Sequence, residues 1–261
     1  MSKNNHKILL SLLIIFSSYC AIIIGKSWDE GAELYKGKVI LDYFFSLGEV
    51  DKYYWGRENY STIYWSILYF LTKIFPPQYQ IQASHIINLI FSISVVFAIG
   101  KLCKELFNEK IGKLSFLILF FYPIFFGHMA MNNKDMILAL SHVWITYLIF
   151  RYLKKQNIKA KTNKYIASIG VLAAVGMGIQ LVFLGSLIPI FLFVLLEIFL
   201  FKKIINKNFD KKKFFLDLIK SFIIFYILLI AFWIDAHPNI FILPFNIIME
   251  TFSSNFWTGW P

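Results

Sequence analysis

Apolar residues in this chain come in long unbroken runs separated by short polar clusters. The runs at 8–25, 83–103, 113–127, 136–153, 165–183, 184–201 and 217–235 each approach the ~20 residues needed to cross a bilayer core as a helix. The stretch 165–201 carries no charge until Glu197 and is too long for one crossing. It is read as two helices turning near Leu184-Gly185-Ser186. The first run lacks a small-residue cleavage site and continues straight into Lys26-Ser27-Trp28-Asp29, so it is read as a retained helix. The pattern predicts an all-α fold, a polytopic transmembrane helical bundle of about seven spans, within a single domain covering 1–261. It shows no internal repeat and no soluble domain.

One apolar stretch does not fit a crossing. Residues 61–75 are short, rich in Tyr and Trp, carry Lys73 and end at Pro76-Pro77. These traits belong to a helix lying in the membrane interface. The choice matters for everything after it. If 61–75 crossed the membrane, the basic clusters at 101–113, 151–164 and 202–220 would lie outside. If it lies flat, those clusters fall inside, and the loops 26–82 and 127–135 fall outside. Together with Lys3 and Lys7 the clusters hold 19 of the 26 basic residues. Short loops rich in Lys and Arg stay in the cytoplasm, so the flat reading is preferred.

Composition agrees: 58% of residues are hydrophobic, 29 are Phe, and mean hydropathy is +0.64, far too apolar for a soluble domain. The net charge of +11 then marks cytoplasmic loops. No basic stretch carries the aromatic platforms or fold signature of nucleic-acid binding. Cys20 and Cys103 fall near opposite membrane faces, which excludes a disulfide between them, and no Cys/His cluster has zinc-site spacing.

Two polar motifs stand out at span ends. Trp28-Asp29-Glu30-Gly31 follows the first span, and Phe126-Gly127-His128-Met129-Ala130-Met131-Asn132-Asn133-Lys134-Asp135 joins two later ones. In the flat topology both face the same side. Acids at a helix end can simply be hydrated. Yet Asp29 and Glu30 form an adjacent pair at the interface, where partial shielding raises a carboxylate pKa toward that of a useful base. Asp135 suits a helix N-terminus on structural grounds alone, with Asn133 as its cap. The alternative is a catalytic or orienting role, since His128, Asn132, Asn133 and Lys134 crowd the same loop. Lys134 breaks the basic-inside pattern and is suited to pairing with a phosphate. His85 begins the second span and can be an interfacial hydrogen-bonding residue. Gln180 ends the fifth span behind Gly170, Ala173, Ala174, Gly176 and Gly178, small residues that permit close helix packing. His142 is read as a packing residue, and the His237-Pro238 and Pro244 region as a kinked external segment.

The order of these parts resembles the GT-C superfamily of membrane glycosyltransferases, and within it the bacterial dolichyl-phosphate-mannose-protein mannosyltransferase-like proteins. Phe126 to Met136 resembles their F-G-H-x-x-x-N-P-K-D-I/L-P stretch. The Asp29-Glu30 pair occupies the place of their Asp-Glu pair, and His237 to Trp260 resembles their segment after the seventh span. Asn133 and Leu138 stand where the family commonly has Pro, and Gln180 stands where relatives often carry Arg.

The resemblance implies a polyprenyl-phosphate sugar donor in membrane lipid and an extracytoplasmic acceptor, whether protein, lipid or glycan. It implies an active face on the outside of the plasma (inner) membrane. Asp29 is then the base, Glu30 its support and Asp135 an orienting group. His128, Asn133, Lys134, His85 and Gln180 are the candidate substrate contacts. No cofactor or metal is called for. Relatives continue for several spans beyond Pro261, so the chain is expected to be an N-terminal portion, with a C-terminal half or partner subunit. Rival classes are a non-catalytic or degenerate membrane subunit and a transporter. The transporter is disfavoured because the charges sit at span ends and no inverted repeat is visible.

Overall fold

A computed structural model describes residues 3–49 and 61–253, and the described residues form an all-helical bundle. Helices α1 (Lys3–Ile23), α2 (Glu30–Phe45), α3 (Ile63–Thr72) and α4 (Gln80–Leu106) come first. They are followed by α5 (Glu109–Phe121), α6 (Pro123–Met131), α7 (Asp135–Lys155) and α8 (Lys159–Ile179). The chain continues through α9 (Phe183–Ser186), α10 (Ile188–Leu196), a π-helical turn at Glu197–Phe201, α11 (Lys211–Ala231), a 3₁₀ segment at Ile234–Asn239 and α12 (Leu243–Ser253).

Five segments are long and apolar enough to cross a membrane, and six if a bent pair is taken as one crossing. The expected count of about seven adds α1, whose apolar part, Ile8–Ile23, is only about 24 Å long at ~1.5 Å per residue. Three boundaries differ from the sequence reading. The span expected at 113–127 is two helices, α5 and α6, meeting at 70°. Pro123 is the cause: it cannot donate a backbone hydrogen bond, and it holds Tyr122 extended at ψ 115°. Helix α6 therefore runs through His128 to Met131, and the expected loop 127–135 shrinks to Asn132–Lys134. The turn expected near 184–186 falls at Gln180–Val182, where Gln180 is extended and the Phe183 ring folds back over Gly176. Finally α11 starts at Lys211, six residues earlier than expected, because the Asp210 side chain caps it by accepting from the Lys213 N–H at 3.1 Å.

The rods alternate in direction, so the bundle has two distinct ends. At one end the basic clusters meet: Arg151 and Lys154 pair with Glu105, and the Gln156 side chain bonds the backbone of Asp210. At the other end lie the start of α4, the start of α7, the end of α8 and the end of α11, with α2 and α3 packed over them. Lipid is as apolar as Leu, so close approach of helices does the packing inside the membrane. Gly100 and Gly112 supply it between α4 and α5, and Gly170 lies against the Ser221 carbonyl of α11.

Helix α3 is about 15 Å long at ~1.5 Å per residue, half of a ~30 Å hydrocarbon core. One face of it is covered, with Ile63, Tyr64, Trp65 and Leu68 buried, while Ile67 and Phe70 on the other are exposed. Gly37 of α2 lies so close to it that a Cβ there would stand 2.1 Å from the Trp65 carbonyl oxygen. One apolar cluster ties Leu34 of α2 and Tyr64, Trp65 and Leu68 of α3 to Ile137 and Leu140 of α7 and Ile179 of α8. The His237 ring adds a polar tie, its Nε2 donating to the Ile230 carbonyl at 2.9 Å while Nδ1 meets the Tyr43 hydroxyl of α2 at 3.1 Å. These contacts fix α2, and with it the first polar motif, over the end of the bundle opposite the basic loops.

Candidate active site

The two motifs meet. Asp29 precedes α2 and accepts the Glu33 N–H through its carbonyl at 3.0 Å. Its carboxylate is 70% exposed and pairs with the Lys134 ammonium at 3.1 Å. Lys134 also reaches Glu33, at 3.3 Å. One lysine thus bridges Asp29 of the other motif and Glu33, one turn further along α2, across more than a hundred residues of sequence.

The three acids around the start of α2 have different surroundings. Residues 29 and 33 are one helical turn apart, as are 30 and 33. Glu33 is only 4% exposed, and its oxygens make no well-formed hydrogen bond; what balances it is the nearby Lys134 ammonium and the Asn133 amide beside it. Burial raises its pKa above the ordinary carboxylate value, Asn133 and Lys134 oppose the rise, and Asp29 adds to it. Partial burial acts to lower the Lys134 pKa, but the bond to Asp29 and the charge of Glu33 outweigh it, so the net shift is upward.

Glu30 is buried and committed. One oxygen accepts the Ser27 N–H at 2.7 Å, and the other meets His85 Nε2 at 2.6 Å. His85 Nδ1 lies 3.0 Å from the Ala21 carbonyl, which can only accept, so Nδ1 carries a proton. The Glu30–His85 bond then contains a second proton, on one partner or the other. This arrangement joins α1, α2 and α4 in the interior. His85, expected as a substrate contact, is fully buried with both nitrogens engaged.

The second motif is braced from beneath. Asn88 of α4 donates to the Met129 and Ala130 carbonyls at 3.1 and 3.0 Å, and Ser92 donates to Met129 at 2.8 Å. These are end carbonyls of α6 that the helix itself leaves unpaired. Tyr64 donates to Asn88 at 3.2 Å, completing a buried polar strip beside Glu33. Burial and the Glu33 charge both push the Tyr64 pKa up, so it stays a neutral donor.

The cap of α7 is Asn132, not the expected Asn133: its Oδ1 accepts the Asp135 N–H at 2.9 Å. Its Nδ2 donates to Asp135 Oδ2 at 2.8 Å and lies 3.2 Å from His128 Nδ1. Asn133 instead turns inward toward Glu33. Asp135 and His128 are exposed beside Lys134, and Gln180 is exposed at the end of α8, on the same end of the bundle. Asp29, Lys134, Asp135 and His128 therefore form an open polar surface, while Glu30, Glu33, His85 and Asn133 lie beneath it. Among the described residues no group of three His, Cys, Asp or Glu side chains is placed to hold a metal.

Sequence reasoning missed Glu33 and the Asn88–Ser92 brace. Both carried a signal. Glu33 repeats the acidic character of Asp29 and Glu30 one turn later. His85, Asn88 and Ser92 recur at spacings of three and four along an otherwise apolar span, which places them on one helix face.

A family model described as dolichyl-phosphate-mannose-protein mannosyltransferase matches residues 62–233. The matched stretch includes Asn132–Asp135 and Gln180, and Asp29 lies before it. No curated protein matches the chain, and no solved structure does.

Proposed function

The chain belongs to the dolichyl-phosphate-mannose-protein mannosyltransferase family, and from that premise we propose that it transfers a sugar from a polyprenyl-phosphate donor to an acceptor on the extracytoplasmic face of the plasma membrane. The family is one of glycosyltransferases of the mannosyltransferase type, and the apolar helices make the chain an integral membrane protein. The observation that carries the finer reading is the Lys134–Asp29 contact, which joins a potential base to a cation suited to a phosphate.

In this reading the polyprenyl tail lies in lipid, and its phosphate reaches Lys134 at the bundle end. A sugar phosphodiester carries one negative charge. When the bond from the sugar C1 to the phosphate oxygen breaks, that oxygen leaves with the electron pair, and the phosphate gains a second charge. Lys134 stabilises this charge more strongly than the ground state, which is what lowers a barrier. The phosphate also draws Lys134 away from Asp29. The freed carboxylate accepts the proton of the acceptor hydroxyl as its oxygen bonds to C1. Asp135, held by Asn132, orients acceptor or sugar. His128 and Gln180 contact the donor, and Glu30 with His85 holds α2 in register. Asn133 and Glu33 fix the resting position of Lys134.

The test is transfer of labelled mannose from polyprenyl-phosphate-mannose by membranes carrying the chain, with any C-terminal partner co-expressed. The Asp29→Asn protein should insert normally and lose roughly 10²–10⁴-fold in rate, the usual contribution of a general base. Undiminished transfer by that variant would refute the assignment.

A further inference from the structure

A second site lies at the opposite end of the bundle. Helices α1 and α5 both pack on α4 but stand apart near the basic end, leaving a groove of about 370 Å³. Its walls are Leu10 and Leu13 of α1 and Phe116 and Leu117 of α5. Its floor is Phe97 and Gly100 of α4, where Gly100 and Gly112 let α4 and α5 approach closely. The mouth is basic. Lys101 and Lys104 lie near the end of α4, and Lys113 lies near the start of α5. Lys101 also rests over the Trp144 ring at 5.0 Å. The one acid among the described residues that line it is Glu109, paired with Lys104 at 3.2 Å and Lys113 at 2.9 Å. Three lysines and one glutamate leave two net positive charges at one end of an apolar slot.

We propose that this groove binds an anionic membrane phospholipid, with an acyl chain along Leu13, Phe97 and Leu117 and the phosphate among Lys101, Lys104 and Lys113. Charge complementarity selects the occupant. Hydrocarbon matches the slot, and an anion matches only its mouth, so the ligand is an amphiphile charged at one end. A transmembrane helix, about 10–12 Å across, would need a wider trough and gives no reason for lysines at one end alone. Basic pockets between spans at a membrane surface take acidic headgroups in this way. The site is remote from Asp29 and Lys134 and does not depend on the glycosyltransferase reading.

Native mass spectrometry of the full chain in detergent, with equimolar phosphatidylglycerol and phosphatidylcholine of matched chains, tests the proposal. The wild-type chain should retain one phosphatidylglycerol in preference. K101Q/K104Q/K113Q leaves the apolar slot in place and should weaken that preference on the order of a hundredfold, the effect of removing three lysine charges near an anionic headgroup. K159Q/K161Q/K164Q, which removes three lysines elsewhere at the same end, should leave the preference intact. Leu117→Trp fills the slot and keeps the lysines; it should lose both lipids, which separates lipid binding from capture of free phosphate. Three results would overturn the site: an unchanged preference in the first variant, an equal loss in the remote one, or a second copy of the chain retained in place of lipid.

Discussion

Removing Lys134 should destabilise the protein in a way that depends on Glu33 and on pH. The Glu33 carboxylate is 4% exposed and Lys134 is 47% exposed, so the pair is half-screened. Exposed pairs contribute about 0–1 kcal/mol, while breaking a fully buried one costs about 3–5 kcal/mol. A half-screened pair sits between, so Lys134→Met should cost about 2 kcal/mol near neutral pH. Glu33→Gln keeps the shape and removes the charge. In that background Lys134 loses only the exposed pair with Asp29, and the same substitution should cost about 0.5 kcal/mol. The difference, about 1.5 kcal/mol, is the coupling that a double-mutant cycle reads.

The sign with pH follows from burial. Glu33 has a raised folded-state pKa, so its contribution to stability is fully present below the ordinary carboxylate range and is lost as pH rises through the raised value. Without Lys134 that value rises further, and the loss extends to higher pH. The Lys134→Met deficit should therefore be smaller at about pH 5 than at about pH 8. Thermal unfolding in detergent, followed by tryptophan fluorescence at both pH values for the four proteins of the cycle, measures it. A deficit equal at both pH values and equal with Gln at position 33 would refute the pairing of a buried Glu33 with Lys134.

Three other outcomes follow from the same geometry. Asp135→Asn should reduce mannose transfer less than Asp29→Asn, because Asn retains the bond to Asn132 and only the orienting charge is lost; labelled-donor kinetics on both variants compare them. Asn88→Leu leaves the Met129 carbonyl to Ser92 alone, strips the Ala130 carbonyl of its donor and the Tyr64 hydroxyl of its acceptor, and should lower stability by about 1–3 kcal/mol for the buried groups left unpaired, with amide exchange rising across residues 128–135. Gly37→Leu puts a side chain onto the Trp65 carbonyl and should part α2 from α3, so that transfer and melting temperature both drop while membrane insertion, read by alkaline extraction, is retained.

The helical class, the approximate span positions and the shared end of the two motifs were legible because each rests on a one-dimensional signal: length of an apolar run, or placement of Lys and Arg. The misplaced boundaries have local causes that hydropathy averages away. Pro123 breaks a continuous apolar run without changing its hydropathy. Gly176 admits the Phe183 ring and so draws the turn back to Gln180. Asp210 starts α11 inside a cluster of lysines that reads as loop. Within the site, exposure could not be read from residue type. Asp29 and Glu30 look equivalent in sequence, and only the path of α2 over His85 makes one open and the other buried.

That path also explains why three acids stand on one helical turn. A single carboxylate could not remain available to a substrate and also fix the helix that carries it. Here the tasks are separated by the helix period. Glu30 points between α1 and α4 and is held by Ser27 and His85. Glu33 points toward α7 and holds Lys134 from beneath. The Asp29 carboxylate, left at the rim, is bound among the described residues only by the lysine that a phosphate can draw away. A charge near Asp29 is thus supplied by a residue whose own position is set by a different, buried carboxylate. Substitution of either buried acid should act through the placement of α2 or Lys134, whereas substitution of Asp29 acts on the proton itself.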